Sequence, residues 1–187
     1  RTRVGPYGLE HAVPEDLGAA EDLRPRILPA AAAARVAFPA RELDAAQALA
    51  VSRDRPGRLV LAADQTLTCD GAAFHKPVDL AAAQRQIAAL AGRTHELHSA
   101  FVIARDGAPL AEELEAARLT MRPLQSDFIA RYLAVAGSAA LSSVGGYQVE
   151  GPGAQLFDRI EGDHFTILGL PLLAVLTALR DLDCLAR

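Results

Sequence analysis

The sequence predicts an α/β domain: a mixed, twisted β-sheet flanked by helices. Three observations carry this. The apolar run Leu59-Val60-Leu61-Ala62-Ala63 before Asp64 reads as a buried strand. Thr94 to Ala104 and Glu113 to Met121, split by the turn pair Asp106-Gly107, read as two antiparallel strands. Between these strands, Leu80, Ala83, Ile87 and Leu90 fall on one face of a helix.

In chain order, prolines at 6, 14, 25, 29 and 39 and the alanine run Ala30 to Ala34 leave little sustained periodicity before Leu43. Leu43 to Ser52 can form a short helix, and Arg55-Pro56-Gly57 turns it into the strand that ends at Asp64. A second short strand, Thr66 to Cys69, leads into the Asp70-Gly71 turn. Asp79 has the chemistry of an N-cap for the next helix, and Gly92 that of its C′ residue. Ser126 is placed to cap a helix that turns Phe128, Ile129 and Tyr132 inward and stops at Gly137, and Pro171 opens a last helix through Leu182. No repeat or linker divides the chain, so residues 1–187 are expected to form a single domain with a divergent or truncated N-terminal part, 1–45.

The 187 residues suffice for one packed core, and no apolar run approaches the roughly 20 residues of a membrane span. A net charge of -4 gives no general footprint for nucleic acid, so an anionic ligand needs a few placed cations or a metal. Cys69 and Cys184 lack zinc or disulfide-framework spacing. Together with the lack of a basic-then-apolar leader, this makes the cytoplasm the expected compartment, with no nucleic-acid or membrane partner.

Asp64 and Lys76 carry the chemical signal. An acid at a strand end sits where open α/β sheets bind ligands, and a lysine one hairpin later can face the same cleft. Such a carboxylate holds Mg²⁺ or deprotonates water, and the ammonium neutralises a phosphate oxygen. His95 and His98 are three apart on a strand and point to opposite faces, which excludes a shared metal ion. The glycines of Gly145 to Gly153 flank a short strand and either admit a ligand to the backbone or make plain turns. Gly162-Asp163-His164 to Gly169-Leu170-Pro171-Leu172 reads equally as a phosphate-receiving helix start and as an ordinary loop before a proline-started helix.

Read in order, these segments resemble the Maf family of nucleoside triphosphate pyrophosphatases. Ala62-Ala63-Asp64-Gln65 resembles its Gly-Ala-Asp-(Thr/Gln) motif, and His75-Lys76-Pro77 its Gly-Lys-Pro motif. Leu90-Ala91-Gly92-Arg93-Thr94-His95, Ser143 to Tyr147 with Glu150-Gly151, Ile160-Glu161-Gly162 and Gly169-Leu170-Pro171-Leu172 resemble four more family segments, covering Pro56 to the C-terminus. His95 is then a turn or sheet residue of the family rather than a ligand. Upstream, Gly8-Leu9-Glu10-His11-Ala12-Val13-Pro14 resembles the segment after the family's first helix, and Glu21 or Asp22 stands near its acidic metal-holding pair. Gln47 stands where the family carries a lysine, and nothing before Gly8 matches the family's Ser/Arg loop. The expectation is either an N-terminal truncation or altered gene product, or a member that has lost part of its phosphate site.

The resemblance implies a Maf/ITPase-like architecture, a homodimer, and metal-dependent hydrolysis of a nucleoside triphosphate between its α and β phosphates. Mg²⁺ or Mn²⁺ would be held by Asp64 with Glu21 or Asp22. Asp64 and Lys76 would be the catalytic residues, and Gln65 and Glu150 would read the base. Family members with Asp-Gln and a late Glu resemble the branch acting on 7-methyl-GTP, and those with Asp-Thr and Gln the branch acting on dTTP and UTP. Gln65 and Glu150 are of the first kind. The alternatives are the dTTP/UTP activity and a catalytically impaired nucleotide-binding protein on the same fold.

Overall fold

The computed structural model describes residues 39–186. Glu21, Asp22 and the rest of the segment before Pro39 lie outside the described residues, as does the side chain of Gln47. The described chain forms a five-stranded sheet with helices on both faces, in the order β2-β1-β3-β4-β5. All four pairings among the described residues are antiparallel.

Helix α1 (Pro39–Arg53) starts earlier than the Leu43 expected and is rich in alanine. Small side chains let it lie close to one face of the sheet, where Ala48 is buried with Val102 and Ala104. Its end is tied down by Ser52, fully buried, whose hydroxyl donates to the Leu49 carbonyl and accepts from the Gly107 N–H (both 2.9 Å).

Strand β1 (Val60–Cys69) corrects the sequence reading at its most important point. It does not stop at Asp64; the expected second strand, Thr66 to Cys69, is its continuation. Every residue from Val60 to Thr68 pairs with β3 (Thr94–Arg105), and this unbroken ladder leaves no room for a strand end at the acid. On its other side β1 meets β2 (Ala72–Phe74) only over Leu67 to Cys69. Asp70 and Gly71, both with positive φ, form the two-residue hairpin turn that matches strand twist. Asp106 and Gly107 repeat the device between β3 and β4 (Ala108–Met121).

The opposite face of the sheet is covered by α2 (Leu80–Leu90) and α3 (Ser126–Ala136). Asp79 caps α2 as expected, its Oδ1 accepting from the Ala82 N–H at 2.6 Å, and Gly92 follows with φ +71°. Ser126 is the first helical residue of α3 rather than its cap; Gln125 holds the cap position without a side-chain bond. Ala83, Ile87, Ile129 and Tyr132 pack on Leu67, Leu97, Leu119 and Met121 to form the larger core. After β5 (Phe157–Glu161), α4 (His164–Leu168) crosses the sheet, and α5 (Leu172–Asp181) buries Ala174 and Val175 against Phe101 and Ile103 in a second core. No helix among the described residues is long and apolar enough to cross a membrane.

Candidate active site

Alternation along β1 decides what its acid and amide can reach. Neighbouring residues of a strand face opposite ways, so Asp64 and Gln65 lie on different sides of the sheet. Asp64 is half-buried on the α1 side, in a shallow hollow with Ala45, Ala62, Ala100 and Val102. Its carboxylate takes no hydrogen bond or ion pair from the described residues. The outer edge of β1 is unpaired by β2 at both positions. Lys76 comes two residues after β2 ends, exposed, and makes no ion pair with Asp64. The preceding His75 carbonyl is held by Gln86 Nε2 at 2.9 Å, which fixes where the lysine leaves the hairpin.

On the other side, Gln65 belongs to a polar rung. It stands directly across from Ser99 on β3, and Ser99 across from Glu115 on β4. Helix α4 lies over this rung: Thr166 Oγ1 donates to Glu115 Oε2, and Ser99 Oγ donates to the Thr166 carbonyl at 2.7 Å. Gln65 Nε2 meets the Thr166 carbonyl at 2.9 Å, the Ile167 carbonyl at 3.0 Å and Ser99 Oγ at 3.1 Å. Two of these neighbours are pure acceptors, so the amide nitrogen must face them and Oε1 must face away.

Gln65 also lines a cleft of about 260 Å³ formed with Ser142, Ser143, Tyr147, Gln148, Glu150 and Leu168, among others. Gln65 and Glu150 are 85 residues apart in sequence by their numbers and converge here. Asp64 and Lys76 do not line this cleft. Glu150 is exposed at its rim.

Tyr147 is the aromatic wall of the cleft. Its ring meets Phe157 edge-on at 4.8 Å, and its hydroxyl lies 2.6 Å from Nε2 of the fully buried His95. Burial drives the His95 imidazole down to about 4 and pushes the Tyr147 phenol up, with Tyr132 adding to the latter. Both rings are therefore neutral, and His95 is a support rather than a ligand. His98 lies on the α1 side, 3.3 Å from Glu96 Oε2 and 3.4 Å from Thr68 Oγ1, so the two histidines are separated as the strand period requires.

Glycines 145 to 153 frame the cleft for a packing reason. There is no strand among them but two short 3₁₀ turns, Val144–Gly146 and Pro152–Leu156. A Cβ on Gly145 would stand 2.7 Å from Leu67 and 2.8 Å from Tyr147, and one on Gly153 would stand 2.4 Å from the Gln148 carbonyl. Their missing side chains make room for the protein's own atoms. At Gly162-Asp163 the ordinary-loop reading holds, because the Asp163 carboxylate caps α4 through the Phe165 and Thr166 N–H groups (3.0 and 3.1 Å). A phosphate there would meet that negative charge.

Ser99 and Thr166 escaped the sequence reading. The signal was present: His95, Leu97, Ser99, Phe101 and Ile103 share the buried side of β3, and Ser99 is the small hydroxyl between Leu97 and Phe101.

The profile described as Maf-like protein matches residues 18–182. The chain belongs to the Maf family. Among its relatives are a 7-methyl-GTP pyrophosphatase of Brucella abortus, 51% identical over 146 residues covering 78% of this chain and 73% of the relative. A 7-methyl-GTP pyrophosphatase of Mesorhizobium japonicum is 54% identical over 75% of this chain and 70% of its own length. A nucleoside triphosphate pyrophosphatase of Rhodopseudomonas palustris is 57% identical over 73% and 67% respectively. In this Maf chain no group of three or more His, Cys, Asp or Glu among the described residues is placed to hold a metal ion. Asp64, half-buried and free of partners among the described residues, still fits the mode in which Mg²⁺ takes one or two protein carboxylates and fills its shell with water and phosphate oxygens.

Proposed function

We propose that this chain hydrolyses the α–β anhydride of a nucleoside triphosphate, releasing a monophosphate and pyrophosphate, and that 7-methyl-GTP is its preferred substrate. The observation that carries this reading is the convergence of Gln65 and Glu150, an amide and a carboxylate, on one cleft. The guanine edge presents N1–H and N2–H₂ donors and pairs with acceptors, whereas the uracil edge offers a single donor between two acceptors. Leaving a buried acceptor opposite another acceptor is costly, which sets the preference. The positive charge of a 7-methylated purine adds attraction to Glu150 and to the face of Tyr147.

With the base in the cleft, the ribose and phosphates pass the edge of β1 that β2 leaves unpaired, toward the Asp64 side. Asp64 orients the attacking water and accepts its proton as the new P–O bond forms and the anhydride P–O bond breaks. Lys76 neutralises the polyphosphate. A divalent cation, held by Asp64 with Glu21 or Asp22, supplies charge neutralisation when bound. The enzyme is proposed to work in the cytoplasm as a homodimer, after its family.

Pyrophosphate release measured over 7-methyl-GTP, GTP, dTTP and UTP tests the reading. The highest kcat/KM is expected for 7-methyl-GTP, and Glu150→Gln should shift the ranking toward unmethylated and pyrimidine nucleotides. A ranking led by UTP, or one that Glu150→Gln leaves unaltered, would refute it.

A further inference from the structure

We propose that Ser99, with the carbonyls at the end of α4, is the positioning element that fixes the Gln65 amide with Oε1 toward the cleft, so that the base is read by acceptors alone. This rests on the proposed function and adds a residue that never touches the ligand. An unrestrained glutamine can turn its amide over and offer a donor or an acceptor with equal ease; such a side chain carries no discrimination between bases. Here the rotation is blocked. Turning the amide would set Oε1 against the Thr166 and Ile167 carbonyls, which have no hydrogen to give.

Ser99 completes the restraint in two ways. Its single proton is committed to the Thr166 carbonyl at 2.7 Å, so toward Gln65 it can only accept. The same bond anchors α4 to β3, and the Thr166 hydroxyl anchors it to Glu115 on β4, so the carbonyls that face the amide are held by the sheet. Ser99 is completely buried and does not line the cleft, so it acts only through Gln65. Gly169, with φ +105°, ends α4 beside Gln65 in a conformation that favours glycine.

The test compares pyrophosphate release from 7-methyl-GTP and UTP by the full chain. Ser99→Ala removes two hydrogen bonds from a buried network, the one from Gln65 and the one to the Thr166 carbonyl, and the preference for 7-methyl-GTP should fall roughly three- to tenfold through KM, with kcat retained. Ser99→Thr, which keeps the hydroxyl, should restore it. Gln65→Leu removes the amide through which Ser99 acts, so it should lower the preference by itself, and adding Ser99→Ala to it should lower the preference no further; thermal unfolding checks that each variant is folded. A preference unmoved by Ser99→Ala, or one that Ser99→Ala lowers equally in the Gln65→Leu background, overturns the positioning role while the proposed function stands. If the unmodified chain releases no pyrophosphate, the proposed function falls, and affinities for 7-methyl-GMP and UMP carry the same comparison. A chain that binds neither nucleotide overturns both.

Discussion

The support beneath the cleft makes a quantitative prediction about acid. His95 is 1% exposed between Tyr147 and Phe157; its Nε2 meets the Tyr147 hydroxyl at 2.6 Å, and its buried Nδ1 has no hydrogen-bond partner among the described residues. Burial lowers its pKa from 6.5 to about 4. Between these values the unfolded chain binds a proton that the native chain refuses, so stability rises with pH through this window. The contribution is complete above 6.5 and is lost as pH falls toward 4. At roughly 1.4 kcal/mol per pH unit, the full loss is about 3 kcal/mol, and about 2 kcal/mol of it has gone by pH 5. His95→Gln removes the titration while keeping a donor and an acceptor near Tyr147. Urea unfolding of both proteins at pH 7.5 and pH 5 isolates the effect from the carboxylates they share. The variant should be the less stable at pH 7.5, and the gap should close by about 2 kcal/mol at pH 5. Parallel pH dependences would show that the native imidazole takes up its proton normally, refuting the burial argument.

Four further outcomes are expected. Asp64→Asn should lower kcat at least a hundredfold, the scale of a lost general base, with an unchanged unfolding midpoint because the carboxylate has no partner among the described residues; thermal unfolding and initial rates check both halves. Removing divalent cations with a chelator should abolish pyrophosphate release, and Mg²⁺ or Mn²⁺ should restore it in a rate titration. Gly145→Ala combines overlap with Leu67 and Tyr147 and a φ of +78°, so calorimetry should find a loss of about 2–4 kcal/mol. Asp64→Asn and Glu150→Gln act on opposite sides of the sheet and share no protein partner among the described residues, so their effects on log(kcat/KM) should add in a double-mutant cycle to within about 0.5 kcal/mol.

The helices and hairpins were legible because their signals are local. Asp79 and Gly92 bracket α2, and Asp-Gly pairs close both hairpins, since each requires only a few neighbouring residues to fix φ and ψ. The rung was not legible, because Gln65, Ser99 and Glu115 meet only through strand register, and Thr166 arrives from a five-residue helix 101 positions after Gln65. The cap at Asp163 was hidden for a similar reason: the sequence shows a glycine, an acid and a helix start, but not which atom the acid faces.

The error at Asp64 is the instructive one. An acid after an apolar run looks like a stop, and ending the strand there would free Asp64 and Gln65 to share one cleft with Lys76. Continuous pairing with β3 forbids this, because the fixed alternation of a strand sends adjacent side chains to opposite faces. A single substrate can use both residues only by crossing the strand's edge, and β2 does not pair with that edge before Leu67. In the proposed function the two tasks divide by geometry: base reading on the α2 and α3 side with Glu150, and phosphate chemistry on the α1 side with Asp64. Asp64 substitutions should therefore act on kcat and Gln65 substitutions on substrate choice, although the two residues are joined by one peptide bond.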